Sequence, residues 1–352
     1  MTLPVSAPAP PVAAGPPRAP AIETAFTRQV GIDVPLVCGA MYPCSNPELV
    51  AAVSAAGGIG IVQPISLVYV FRHDFRAGLR RIRELTDRPI GMNAIVEKSA
   101  RAYEERMKRW VEIALDEGVR FFVTALGNPR WVVERAHAAG GVVYHDVTER
   151  RWAEKALAHG VDGLVCVNRD AGGHAGRKSA GELVAELGDL GVPLLCAGGV
   201  GDEAGFAAAL RLGYAGVQMG TRFIATEECA VHDDYKRAIL AAGPDDIVLT
   251  DKLSGVPCAV IRTPYVERIG LTAGPIARAL LRGRKTKHWM RTFYSAKAVW
   301  QLKRASLQGI SYKDYFQAGK SVAGIRRVEP AGDVVRRFAA AAASHPGRAA
   351  AG

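Results

Sequence analysis

The stretch Asp170-Ala-Gly-Gly-His-Ala-Gly176 sets one histidine among three glycines. A histidine side chain titrates near neutrality, at about pH 6.5, so it can take up a proton there. Glycines on both sides strip away neighbouring side chains and let a flat or bulky partner approach the backbone. His174 is therefore the candidate catalytic base. His73, His137, His145, His159, His232, His288 and His345 have no comparable setting. Asp170 and His174 lie four apart, but on a glycine-rich loop helical spacing does not apply, and no third ligand is evident. No metal site is expected.

Two more clusters carry bare amides: Cys196-Ala-Gly-Gly-Val200 and Gln218-Met-Gly-Thr-Arg-Phe223. Backbone N–H groups without side chains in the way, with a threonine hydroxyl beside them, suit a phosphate. Gly198, Gly199, Gly220 and Thr221 are the candidate phosphate ligands. Glycines that merely turn the chain are the alternative. The position of both clusters, at the ends of two consecutive predicted strands, favours the phosphate.

These groups need a scaffold. Near-continuous apolar runs at 35–40, 58–63, 89–96, 120–126, 141–147, 163–168, 193–199 and 216–223 read as strands buried on both faces. Helical patterns separate them at 47–56, 74–85, 101–116, 130–139, 149–159, 181–190 and 202–212. Eight strands alternating with helices predict an α/β fold of the (β/α)8 TIM-barrel type. An open doubly wound sheet is the rival, but no Gly-x-Gly-x-x-Gly follows the first strand. In a barrel the chemistry sits at the carboxyl ends of the strands, and the loops after strands seven and eight often hold phosphate. The three glycine clusters map to that end. The barrel is expected over 23–225, after a Pro/Ala-rich disordered leader at 1–22. An appended, mainly helical lobe is expected at 226–308, a segment returning to the barrel at 309–338, and a frayed Ala-rich tail at 339–352.

The bulk properties agree with a soluble globular protein. With 352 residues, 49% apolar and 22% charged, the chain can bury a large core. No run of about 18 apolar residues suggests a membrane span. The leader lacks a basic start and an apolar centre, so a cytoplasmic location is expected, with Cys38, Cys44, Cys166, Cys196, Cys229 and Cys258 as free thiols. The net charge of +11 is concentrated at 282–304. That run reads either as a surface for an anionic partner or as a solvated helical face. Without a nucleic-acid motif beside it, the second reading is preferred.

Much of the chain, from about 26 to 228 and again near 315–328, resembles the nitronate monooxygenase family. The matching stretches are Pro35-Leu-Val-Cys-Gly-Ala-Met41, Ala52-Val-Ser-Ala-Ala-Gly-Gly-Ile-Gly60, Thr86-Asp-Arg-Pro-Ile-Gly-Met-Asn93, Ala171-Gly-Gly-His174, Ala197-Gly-Gly199 and Gly220-Thr-Arg-Phe223. The resemblance implies an FMN-dependent barrel. It places Ala40 and Met41 against the flavin, Asn93 in contact with it, Gly172 and Gly173 along the isoalloxazine, and Gly198, Gly199, Gly220 and Thr221 around its phosphate. His174 matches the family histidine that acts as base or orients substrate. Some relatives carry a lysine toward FMN after strand five, where this chain has Asp146. The implied reaction is oxidation of an alkyl nitronate, or its nitroalkane, by O2 to a carbonyl compound and nitrite. An NAD(P)H-dependent flavin reductase of a quinone or enoyl thioester shares this architecture and is the alternative. A non-catalytic FMN- or polyanion-binding barrel is a third. The expected partners are a small-molecule substrate and O2, with no membrane and no nucleic acid, and a homo-oligomer is left open.

Overall fold

The computed structural model describes residues 19–97, 101–252, 256–272, 300–311 and 315–344. Eight parallel strands close into a barrel in chain order: β1 Leu36–Cys38, β2 Ile59–Val62, β3 Gly91–Ile95, β4 Phe121–Ala125, β5 Val142–Val147, β6 Gly163–Val167, β7 Leu194–Ala197 and β8 Gly216–Met219. The first strand pairs with the last through Val37 and Gln218, which closes the ring. The expected (β/α)8 barrel is thus the observed one. The eighth predicted strand ran too long, because residues Thr221–Ile224 turn into a short helix, α9.

Side chains alternate along each strand. One set (Val37, Ile59, Ile61, Phe121, Val123, Tyr144, Val165, Leu195) fills the barrel interior. The other set packs outward against helices α2 Pro47–Ala55, α3 Phe75–Leu85, α4 Arg101–Asp116, α5 Arg130–Ala138, α6 Arg150–Leu157, α7 Ala180–Leu187 and α8 Glu203–Arg211. Burial on both faces explains why the strands read as unbroken apolar runs. A helix ahead of the barrel, α1 Ala25–Val30, plugs the floor. Its Phe26 is fully buried, edge-on to Phe121 at 5.5 Å, and its Gln29 accepts a 2.7 Å hydrogen bond from the Tyr144 hydroxyl.

The outer ring is completed from the far end of the chain. The C-terminal helix Ala331–Ala343 packs between α8 and α2, with Phe338 5.7 Å from Phe206. It fills the place of the helix that should follow β8. The lobe is therefore an insertion between β8 and its own helix. The expected fraying from residue 339 is corrected here. Ala339 is fully buried and Ala342 nearly so, because small side chains let this helix lie close on the barrel. Residues 345–352 and 1–18 lie outside the described residues.

The inserted segment holds α10 Asp233–Ala241, α11 Pro264–Ile269 and helical residues 300–308, as its helical reading required. It also holds an unexpected antiparallel hairpin, β9 Ile247–Thr250 with β10 Cys258–Ile261. Of the basic run at 282–304, only 300–304 is described. There Lys303 donates to the Tyr69 carbonyl at 2.6 Å, and the Arg304 guanidinium lies 5.2 Å from the Trp300 ring centre. Among the described residues no helix is long and apolar enough to cross a membrane.

Candidate active site

Strand ends deliver the candidate residues to one rim of the barrel. The loop after β6 begins at Asn168, which is buried and ties two loops together. Its amide donates to the Gly198 carbonyl at 3.0 Å, and its Oδ1 accepts from the Asp170 amide at 2.8 Å. The sequence reading passed over Asn168, although its place between an apolar strand and the glycine-rich stretch is a usable signal. Further along, Gly173 has φ +68°, open space where its side chain would be, and a carbonyl that accepts from the Ala259 amide of β10 at 2.7 Å. The hairpin thus holds the loop that carries His174.

His174 has exposed surface, yet its pKa is lowered from the ordinary histidine value because protein around the ring displaces water. A histidine so placed is neutral at physiological pH and ready to accept a proton. His145 differs. It lies on the outward face of β5, buried, with Nδ1 2.8 Å from the Thr124 hydroxyl, and burial pushes its pKa down to about 4. It serves packing.

The structure brings the phosphate candidates together. Gly198 and Gly199 sit side by side with φ of +119° and +80°, a backbone region closed to most other residues. A Cβ on Gly198 would lie 2.6 Å from the Ala171 amide nitrogen, so only glycine fits. Among the described residues the Gly199 amide donates to no protein acceptor. Across the rim, a Cβ on Gly220 would stand 3.3 Å from Met41 Sδ, which puts Met41 and the preceding Ala40, just beyond β1, against this cluster. Thr221 is buried, and its hydroxyl accepts the Gly319 amide at 3.0 Å, leaving its own proton to donate.

Gly319 belongs to a component absent from the sequence-derived phosphate set. The returning segment 315–324 lies across the β6 loop, and Lys320 N donates to the Asp170 carbonyl at 2.9 Å. Gly172 meets this segment with its own backbone, since a Cβ there would be 3.0 Å from Gly319 N. Its missing side chain therefore has a packing reason. The Lys320 ammonium reaches Asp170 Oδ1 at 3.7 Å and offsets a carboxylate beside the glycine cradle. Arg222 fastens the same segment. Its buried guanidinium donates to the carbonyls of Ala225 at 2.6 Å and Arg327 at 3.0 Å, and lies 3.5 Å from buried Glu329.

Three polar side chains face inward within the barrel: Asn93 on β3, Asp146 on β5 and Gln218 on β8. Their neighbours in sequence, Met92 and Ala94, Val147, and Val217 and Met219, all pack outward. Asn93 donates to the Val123 carbonyl at 3.2 Å. Asp146 Oδ1 and Gln218 Oε1 are buried with no hydrogen-bond partner among the described residues. Buried unpaired acceptors are costly and call for a donor.

FMN fits this arrangement. Its phosphate suits the free Gly199 amide, the Thr221 hydroxyl and a cradle that any Cβ on Gly198 would fill. Its polar ring edge suits the unpaired interior oxygens. Asn93, Ala40 and Met41 lie on strands or strand ends that converge on the same rim.

The nitronate monooxygenase family model matches residues 23–339. The chain is 34% identical over 265 residues to a Mycobacterium tuberculosis protein named (3aS,4S,5R,7aS)-5-hydroxy-7a-methyl-1-oxo-octahydro-1H-indene-4-carboxyl-CoA dehydrogenase, covering 74% of this chain and 72% of that protein. It is 29% identical over 273 residues to nitronate monooxygenase of Pseudomonas aeruginosa, covering 65% and 77%. Among solved structures, FabK from Thermotoga maritima superposes with a TM-score of 0.75 at 28% identity, covering 92% of this chain and 97% of that one. Nitroalkane oxidase from Streptomyces ansochromogenes shares the fold, with a TM-score of 0.71 at 24% identity, covering 91% and 98%.

Proposed function

The chain belongs to the nitronate monooxygenase family, a family of FMN-dependent oxidoreductases, and on that premise we propose that it binds FMN and oxidises an alkyl nitronate, or its parent nitroalkane, with O2. The observation that carries the reading is His174 on the loop after β6, whose Ala171 lies against Gly198 and whose Asn168 donates to the Gly198 carbonyl. Gly198, Gly199, Gly220 and Thr221 hold the phosphate, and Asn93, Ala40, Met41, Gly172 and Gly173 border the ring. Bound FMN supplies the redox chemistry, the electron exchange between substrate and O2 that ends in a carbonyl compound and nitrite. His174 takes the α-proton of a neutral nitroalkane. A substrate that arrives as its nitronate needs no such transfer, and His174 then only orients it. The hydrogen bond from Ala259 to Gly173 fixes the loop so that the imidazole keeps its place during turnover.

A second reading follows from the 34% identity to a protein named as a CoA dehydrogenase. An α-carbon next to a thioester is also a weak acid, and the same neutral imidazole can deprotonate it. In this reading the substrate is an acyl-CoA, with a nicotinamide or another electron carrier in place of O2.

Two assays separate the readings. Nitrite release from propionate 3-nitronate or nitroethane nitronate in air supports the first. Rapid anaerobic bleaching of the flavin by NADPH or by an acyl-CoA, without nitrite release in air, supports the second. A colourless protein that takes up no added FMN would end both.

A further inference from the structure

We propose that Asp146 is a proton-bearing positioning residue for the cofactor, its carboxylic acid donating a hydrogen bond to the bound flavin from the inner face of β5. This rests on the FMN reading above.

Placement is the first argument. Tyr144, two residues earlier on β5, packs in the interior cluster, so Asp146 faces the same way and stands nearer the carboxyl end where the site lies. Its ladder partner on β6 is Val165, an interior apolar residue. The second argument is isolation. Among the described residues Oδ1 is buried and unpaired, and no basic group acts on the carboxyl. The ionisable groups close to it are Cys166 on β6, whose thiol burial keeps protonated, and His145 next to it on β5, which burial keeps neutral. Asp170 and His174 stand on the loop after β6. None of these is a cation at neutral pH that would hold a carboxylate in place.

An isolated carboxyl group in such surroundings holds its proton to higher pH than an exposed one, because burial penalises the charged form. Burial raises the Asp146 pKa to about 7. A neutral acid is both donor and acceptor, whereas a carboxylate only accepts. It can therefore pair with a flavin heteroatom without placing a negative charge near a ring that must take up electrons. Where some relatives hold a lysine, this chain supplies a hydrogen-bond donor that is lost on deprotonation. Only the O–H bond is at stake, and its proton passes to solvent.

The test uses the full chain reconstituted with FMN. Wild type and Asp146→Asn, which keeps a neutral donor, are titrated spectrophotometrically, and the FMN Kd is measured at each pH. In wild type the visible flavin bands shift in one step centred above pH 7, because a bond made to FMN by the acid alone raises the holoprotein pKa over that of the apoprotein, and FMN binding weakens at least about fivefold between about pH 6.5 and 8.5 through proton linkage. Asp146→Asn shows no step and less than about a twofold change. Titration of the FMN phosphate itself cancels in this comparison. Infrared difference spectra of the wild-type holoprotein give a readout that needs no variant: a protonated carboxyl carbonyl band present at low pH and lost as pH rises through the same step as the flavin bands. Flavin bands that ignore pH, or a variant that titrates like wild type, would overturn the role of Asp146 and leave the FMN reading standing. Wild type that binds no FMN overturns both.

Discussion

Gly172 and Gly319 meet backbone to backbone: a Cβ on Gly319 would lie 2.5 Å from the Gly172 amide nitrogen and 2.6 Å from the Asp170 carbonyl oxygen. Through this contact the returning segment rests on the loop that carries the candidate base. Gly319→Ala must push the two strands of backbone apart, and Thr221 then loses the 3.0 Å hydrogen bond from the Gly319 amide. FMN affinity is expected to fall by about tenfold or more, the equivalent of losing one buried hydrogen bond of about 1.4 kcal/mol. Fluorescence titration with FMN measures it, and unchanged affinity would place the segment outside the cofactor site.

His174→Ala is expected to retain FMN and to lose roughly 10²- to 10⁴-fold in turnover of neutral nitroethane, the usual contribution of a general base. Preformed nitronate should still be oxidised. In wild type the rate on the neutral substrate rises as His174 loses its proton, with a midpoint below the ordinary histidine value, since burial lowers this pKa. The variant should lack that limb. Equal rates for wild type and variant on neutral substrate would leave His174 a packing role.

Ala259→Pro deletes the amide that binds the Gly173 carbonyl. The ladder to β9 should survive, because the Ala259 amide points away from it. The expected result is retained FMN with kcat/KM lowered about tenfold, as a misplaced catalytic group would give. Steady-state kinetics beside a flavin spectrum decides the matter, and a variant with normal kinetics shows the hairpin to be dispensable for the loop.

Glu329→Ala leaves the Arg222 guanidinium buried without its carboxylate. Breaking a buried pair in this way costs about 3–5 kcal/mol. Glu329 also binds Arg337 and Arg327, so the C-terminal helix should loosen with it. Chemical denaturation of the apoprotein reads the loss. A change below about 1 kcal/mol would rank the pair with ordinary surface ion pairs.

Asp146→Asn should stabilise the apoprotein at neutral pH. Because the folded-state pKa is raised, to about 7, wild type is most favoured below the unfolded carboxyl value near pH 3.8 and loses stability as pH rises toward 7. The variant has no such loss. The gap in unfolding free energy should open between about pH 4 and 7 to a few kcal/mol at most, then stay level. Thermal scans across that range check the sign. A variant less stable than wild type at pH 8 would contradict it.

The barrel was legible because its strands are apolar on both faces and its glycines cluster at strand ends. The same apolar continuity hid which strand residues point inward. Asp146 and Gln218 are recognisable as interior only once Tyr144 and Val217 show the direction of alternation. Contacts between distant segments were hidden too. Nothing around Gly319 states that it will rest on Gly172, and the Ala259 amide reaches Gly173 only because the hairpin folds back over the rim. Residues 258–261 form an apolar run short enough to pass for part of a helical lobe. Ala339 and Ala342 looked like a loose tail because alanine carries no pattern of its own, and the barrel surface decides their fate.

The C-terminal helix fills the last gap in the outer ring, so the order of synthesis differs from the order of the ring. All eight strands leave the ribosome before the helix that must cover α8 and α2 has been made. Until then the faces of α8 and α2 that this helix covers lack their partner. Completion of the outer ring therefore waits for residues 331–343, which follow every strand of the barrel in chain order.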